Sequence, residues 1–235
     1  MKIDKVTING LRIFSFESKE KILNYIDKNK NILVAVNAEK IVNADENLRS
    51  MINSHVGYCD GIGAVLALKK LGHKSLQIPG FHLWIDIIKK FENKKSFYFI
   101  GGTEKVINLT IKKIKHNFPN IEIKNFHSGF FDKEQEKNIS KDILNKKPDV
   151  VFIAMGSPKQ ELLMQKLYNT HPAIYQGLGG SFDVYVNKVK SPDGFWMDYG
   201  LMWFIRIIRE PKKRLKRMPT LVKFLIMLIR LKKKY

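Results

Sequence analysis

Six short apolar runs, separated by stretches of helical patterning, limit what this chain can fold into more than any other feature. The runs are Ile32-Leu33-Val34-Ala35-Val36, His55 to Cys59, Phe97 to Ile100, Ile121 to Ile123, Val150 to Ala154 and Ala173 to Tyr175. Helical patterns lie at roughly 39–53, 62–71, 81–92, 104–117, 133–146 and 159–169. A strand that is apolar at every position has no face to give to water, so it must be covered on both sides. Crossovers of about a dozen residues are what parallel neighbours require. The pattern therefore predicts an α/β fold, a parallel sheet with helices on both faces. Ahead of the first run, Asn9-Gly10 joins Lys5–Ile8 to Leu11–Phe14. Asn-Gly between β-prone segments predicts a hairpin, because both linking residues need positive φ.

At 235 residues, with 44% hydrophobic and 27% charged side chains, the chain has the composition of one globular domain, alone or with an appendage. Cys59 is its single cysteine, which excludes an internal disulfide and fits a reducing compartment. The opening Met1-Lys2-Ile3-Asp4-Lys5 lacks the apolar segment of a secretion signal. No apolar run reaches the roughly 20 residues of a spanning helix. A cytoplasmic protein is expected.

Charge is unevenly spread. Of the formal net charge of +20, +11 lies in residues 201–235, where Glu210 is the one acid, and +9 lies in the 200 residues before them. Such a balance implies a polyanionic partner, either nucleic acid or an acidic lipid surface. The composition shift near residue 195 predicts a boundary between a domain at 1–194 and a basic appendage at 195–235.

Sites in open parallel sheets lie beyond the C-terminal ends of the strands. The residues there are Asn37, Asp60-Gly61, Gly101-Gly102-Thr103, Gly156-Ser157-Pro158-Lys159-Gln160-Glu161, and Gly177 to Asp183, a stretch that includes Gly180. Any one of these glycines could serve only its turn; five such strand ends together favour a site. Gly101-Gly102-Thr103 leaves a strand and opens a helix, where outward N–H groups and the helix dipole suit a diphosphate. An ordinary turn capped by Thr103 fits equally well. Asp60, at the mouth of a crevice, could take a proton from a sugar hydroxyl, or it could cap the helix that begins near Ile62. Pro158 suits a first helical turn, and Gln160 offers an amide matched to sugar hydroxyls or a nucleobase.

Other chemistries find little support. There is no Walker A pattern, and Gly61-Ile62-Gly63-Ala64-Val65-Leu66 has Leu66 where a dinucleotide fingerprint needs its third glycine. A Gly-x-Ser-x-Gly elbow is also lacking. His55, His73, His82, His116, His127 and His171 show no metal-ligand spacing, so no metal or other cofactor is expected.

The appendage opens with an aromatic and apolar stretch, Phe195 to Ile205, followed by a basic run from Arg206 to Arg217. From Pro219 onward a helix would gather Lys223, Arg230 and Lys234 on one stripe with nearly everything else apolar. A face of Leu221, Phe224, Leu225, Leu228 and Ile229 would suit the interface of an anionic membrane. The other reading is a helix packed on its own domain or in a homo-oligomer contact. A basic nucleic-acid-binding protein is the alternative at the level of function, but the tail's aliphatic face is unlike a stacking surface, so no nucleic-acid partner is expected.

Taken together, the blocks at Asn37, Asp60-Gly61, Gly101-Gly102-Thr103, Met155 to Glu161 and Gly177 to Asp183, followed by Pro192, Trp196, Gly200-Leu201, Trp203, Arg206 and Glu210-Pro211, resemble the WecG/TagA/CpsF family, glycosyltransferase family 26. The resemblance implies a Rossmann-like domain with a C-terminal appendage that docks on the membrane. It implies inverting, metal-independent transfer of an N-acetylhexosamine-type sugar, such as N-acetylmannosamine or its uronic acid. The donor would be a UDP-sugar and the acceptor an undecaprenyl-diphosphate-linked sugar, used in cell-surface polysaccharide or teichoic acid synthesis. By the same resemblance Asp60 is the base, Gln160 lies in the donor pocket and Arg206 offsets diphosphate charge. Asn37, Gly101, Gly102, Thr103, Gly156, Pro158, Glu161, Gly180 and Asp183 are the other expected donor-binding positions. The protein would then sit peripherally on the inner face of the plasma membrane. Five positions depart from the family pattern: Ala35 replaces threonine, Lys190-Ser191 replaces Arg-Ala, Met202 replaces glutamate, and Asn187 stands where glycine is common.

Overall fold

A computed structural model describes residues 3–187 and 218–232. Its strands are β1 (Asp4–Ile8), β2 (Leu11–Ser15), β3 (Ile32–Val36), β4 (Val56–Cys59), β5 (Ser96–Gly101), β6 (Glu122–His127), β7 (Val150–Ala154) and β8 (Ile174–Gly177). The helices are α1 (Lys19–Lys28), α2 (Ala38–Asn43), α3 (Glu46–Ser54), α4 (Ile62–Lys70), α5 (Gly80–Phe91), α6 (Glu104–Asn117), α7 (Lys133–Lys146), α8 (Lys159–Thr170), α9 (Ser181–Tyr185) and α10 (Met218–Arg230). All eight strands belong to one mostly parallel sheet in the order β1-β2-β4-β3-β8-β7-β5-β6. The β1–β2 hairpin supplies the antiparallel pair, with Asn9 at φ 48° and Gly10 at φ 76° in its two-residue turn.

The chain packs as two compact units. Among the described residues, the first comprises 3–19, 35–79 and 218–232, and the second 20–34 and 80–187. In the first unit β2 runs parallel to β4, and α3 and α4 pack on these strands. In the second, β8 pairs with β3 and β7, and β5 pairs with β7 and β6, all in parallel. There α6 covers β5 and β6, while α8 covers β7 and β8. Strands β4, β5 and β7 are buried at every residue, as strands covered on both faces must be. The edge strand β6 is half-buried or exposed throughout. Trp84 of α5 centres the second core, its ring 5.8 Å from Phe152, 5.7 Å from Phe182 and 5.1 Å from Tyr185.

Two expectations are corrected, and one helix was not anticipated. The helix expected over 39–53 is two helices, because Asp45 caps a new start by accepting the Leu48 amide at 2.8 Å. Helix α1 is short and flanked by charge, and it buries Ile22 and Ile26, one turn apart. The apolar face expected of the tail helix is split, since Phe224 is buried while Leu225 and Ile229 are exposed. The boundary proposed at 194/195 and Arg206 lie outside the described residues.

Candidate active site

In the first unit, the strand ends bring Asn37 and Asp60 together. The Asp60 amide donates to the Val36 carbonyl at 3.0 Å, tying the end of β4 to that of β3. A Cβ on Gly61 would lie 3.4 Å from the Cβ of Asn37. Asn37 is the N-cap of α2, its Oδ1 accepting the Lys40 amide at 3.0 Å. The N-cap of α4 is Gly61, which has no side chain to cap with. Asp60 therefore stands one residue ahead of the N-cap position, which corrects the reading that placed it there. Its carbonyl accepts from Gln77 Nε2 at 3.2 Å. Gln77 was not legible as a site residue. It sits in an irregular segment whose backbone is held by Leu76 N–H to Phe16 (2.7 Å) and Ile78 N–H to Cys59 (2.7 Å). Burial pushes the Cys59 thiol up to about 11; a hydrogen bond with Ser75 opposes this and the charge of Asp60 adds to it. The thiol stays protonated at neutral pH and is no nucleophile.

The second unit holds the glycine-rich strand ends, and its glycines are of two kinds. Gly101 (φ 140°) and Gly102 (φ 67°) are packed: a Cβ on Gly101 would stand 2.3 Å from the Ala154 carbonyl oxygen. The Gly102 amide already donates to that oxygen at 3.2 Å, and Thr103 caps α6 by accepting the Val106 amide at 3.3 Å. The turn reading of Gly101-Gly102-Thr103 is thus realised. Gly156, Gly179 and Gly180 are open among the described residues, with no atom beyond their chain neighbours within 4 Å of where a Cβ would be. Gly156 and Gly179 have φ of 78° and 57°. Gly180 has a φ of −91° that any residue adopts, so neither backbone strain nor crowding by the described residues calls for glycine there.

Gln160 braces this region. Buried in the first turn of α8, it accepts the Gly179 amide at 2.9 Å, and its Nε2 lies 3.4 Å from Glu161 Oε1. A Cβ on Gly177 would come within 2.6 Å of that nitrogen. Gln160 therefore fixes the glycine turn from beneath. Pro158 is the N-cap of α8, reached through a cis Ser157–Pro158 peptide. Asp183 follows the open turn on α9, half-buried. Asn187 has φ 59°, the left-handed conformation in which asparagine replaces glycine at least cost.

Two cavities flank the loop after β6, which sequence reading passed over. One of about 620 Å³ is lined by Phe130, Phe131, Met155, Lys159 and Leu162. The other, about 480 Å³, is lined by Glu104, Asn125, His127, Phe131 and Asn138. Both fall within the usual range for small-molecule sites. Exposed Phe130 directly after Ser128-Gly129 was the available signal, a large aromatic left in solvent at a strand end. Below the smaller cavity, Asp142 accepts from Tyr98 Oη at 2.8 Å and Asn125 Nδ2 at 2.7 Å, and pairs with Lys146 at 3.2 Å. Burial alone would raise the Asp142 carboxyl, but these partners outweigh it and hold the group below its ordinary range. Burial lowers His127, more than the neighbouring Asp142 raises it.

Among the described residues no group of three or more His, Cys, Asp or Glu could hold a metal ion, and no helix is long and apolar enough to cross a membrane. The arrangement offers a strand-end carboxylate in one unit, and in the other an open glycine backbone beside cavities of ligand size. Residues 3–235, almost the entire chain, match the sequence model of the glycosyl transferase WecG/TagA/CpsF family, and the protein belongs to that family.

Proposed function

We propose that this glycosyltransferase moves a sugar of the N-acetylhexosamine type from a UDP-sugar to a polyprenyl-diphosphate-linked sugar at an anionic membrane surface, with inversion. The carrying observation is Asp60. It directly follows a fully buried strand, and its backbone is fixed at both N–H and C=O. The N-cap position of the next helix is Gly61. A carboxylate on so fixed a backbone suits general-base work. As the acceptor hydroxyl oxygen attacks the anomeric carbon, its proton passes to Asp60 and the bond to the diphosphate breaks, releasing UDP.

The open backbone at Gly156, Gly179 and Gly180 supports close approach by a donor. The cavities beside Phe130 and Phe131 suit its planar base. Arg206, in the basic appendage, would offset charge on the diphosphate. No step requires a metal. Family membership supports a place in cell-surface polysaccharide synthesis, on the inner face of the membrane.

The test is a thermal-shift screen of UDP-sugars followed by transfer to a lipid-diphosphate acceptor. A matching donor raises the melting temperature through mass-action linkage and is consumed only with acceptor present. No stabilisation by any UDP-sugar, together with tight and steeply salt-dependent nucleic-acid binding, would replace this reading with that of a nucleic-acid-binding protein.

A further inference from the structure

Helix α10 carries two apolar stripes where an ordinary packed helix needs one. Leu221, Phe224, Leu228 and Leu231 recur at the spacing of one helical face. Phe224 is buried and the other three are half-buried. Val222, Leu225, Ile226 and Ile229 recur on the opposite side, at 50%, 48%, 45% and 75% exposure. The inner stripe is latched to the first unit at three points. The Phe224 ring fills the space above Gly63, where a Cβ would stand 3.2 Å from two ring carbons and 3.1 Å from Ala38. Asn43 Nδ2 donates to Thr220 Oγ1 at 3.1 Å. Lys70 Nζ donates to the Ile229 carbonyl at 2.8 Å, a cation at the helix end that favours one. The latched partners, α2 and α4, are the helices that follow directly from Asn37 and from Asp60-Gly61.

The outer stripe meets no such partner chemistry. Lys223 and Arg230 lie about a quarter turn to one side of it, both exposed, and exposed Lys232 follows. Apolar residues flanked by cations on an exposed helix match an anionic bilayer: the stripe enters the acyl boundary and the long basic side chains reach headgroups.

We propose that α10 works as a fixed platform: it stays latched to α2 and α4 through Phe224 while its outer stripe lies in an anionic bilayer. Phe224 is then a positioning residue, setting the distance of the Asp60 strand end from the membrane-embedded acceptor. This rests on the glycosyl-transfer reading above. A free tether would bind lipid equally well, but would leave that distance unset.

The test locks or releases the latch. Asn43→Cys with Thr220→Cys, joined by oxidation or a short bis-thiol linker, fixes α10 to α2, and the buried native Cys59 does not compete. The locked protein should sediment with phosphatidylglycerol vesicles and transfer sugar to a polyprenyl-diphosphate acceptor within about threefold of the reduced form. Phe224→Ala should still sediment, yet lose at least tenfold in transfer to the embedded acceptor while keeping transfer to a short-chain, water-soluble acceptor, and Phe224→Leu should recover part of the loss. A lock that abolishes vesicle binding until reduced would show that the helix must leave the body, and would overturn the proposal. So would Phe224→Ala acting on both acceptors like the parent. If the parent protein transfers to neither acceptor, the glycosyl-transfer reading fails, while sedimentation of the locked protein still decides whether α10 binds lipid in place.

Discussion

Gly101 and Gly180 are glycines for different physical reasons, and substitution separates them. Gly101 has φ 140° and no room beside the Ala154 carbonyl, so Gly101→Ala should cost about 2–4 kcal/mol, read as a fall in melting temperature. Gly180 has an ordinary φ and open space, at a helix N-cap. Serine serves an N-cap as well as glycine does, so Gly180→Ser should leave stability within about 0.5 kcal/mol. If the open turn cradles the donor, UDP-sugar affinity should fall about tenfold by calorimetry; unchanged affinity removes Gly180 from that role. Asp60→Asn keeps the shape and removes the base, so turnover on a membrane-presented acceptor should drop by about two to four orders of magnitude. Turnover within a few-fold of the parent would take Asp60 out of the chemistry. The Cys59 thiol, pushed up from 9.0 to about 11, gives a pH prediction with a definite sign. The folded state holds its proton more tightly, so this stabilisation is complete below pH 9 and is lost as pH rises toward 11. It amounts to at most about 3 kcal/mol. A Cys59→Ala protein whose alkaline melting curve declines as steeply as the parent's would exclude this source.

Elements with a strong signature were legible before any coordinates. The Asn9-Gly10 hairpin, α6 at 104–117 and α7 at 133–146 stand where the pattern puts them. The last of these is closed by a capping box between Asp132 and Gln135. The break between α2 and α3 was not legible, because apolar spacing continues across it and Asp45 announces the second start only through its capping bond. Asp45→Ala should cost about 1 kcal/mol. The inward turn of Phe224 was equally hidden: in α10 most non-basic positions are apolar, so periodicity alone cannot choose which stripe faces the body. Deleting residues 196–235 should leave a folded body with a lowered melting temperature, since the seat over Gly63 is uncovered, and should end sedimentation with anionic vesicles. A truncated protein that still sediments and transfers at full rate would return α10 to a purely packing role.

For the molecule as a whole, the net charge of +20 and its concentration after residue 200 predict how membrane binding responds to salt. Binding to anionic vesicles should weaken as ionic strength rises, because charges separated by more than about 8–10 Å are screened. It should not vanish, because Val222, Leu225, Ile226 and Ile229 are held by apolar transfer. Complete release at high salt would make the contact purely electrostatic. The sequence by itself determined the α/β class, the parallel majority of the sheet, the positions of its strand ends and the family, because period, length and turn residues are local properties written into consecutive positions. Only the tertiary structure decided which glycines are packed and which are open, that Gly61 and not Asp60 stands at the helix start, and that Gln160 lies beneath the Gly177–Gly180 turn. It alone turned Phe224 toward Gly63. Each of these depends on a partner distant in the chain, such as Ala154 for Gly101 or Gly179 for Gln160. A contact between distant residues is set by how the elements pack, and no window along the sequence contains both of its members.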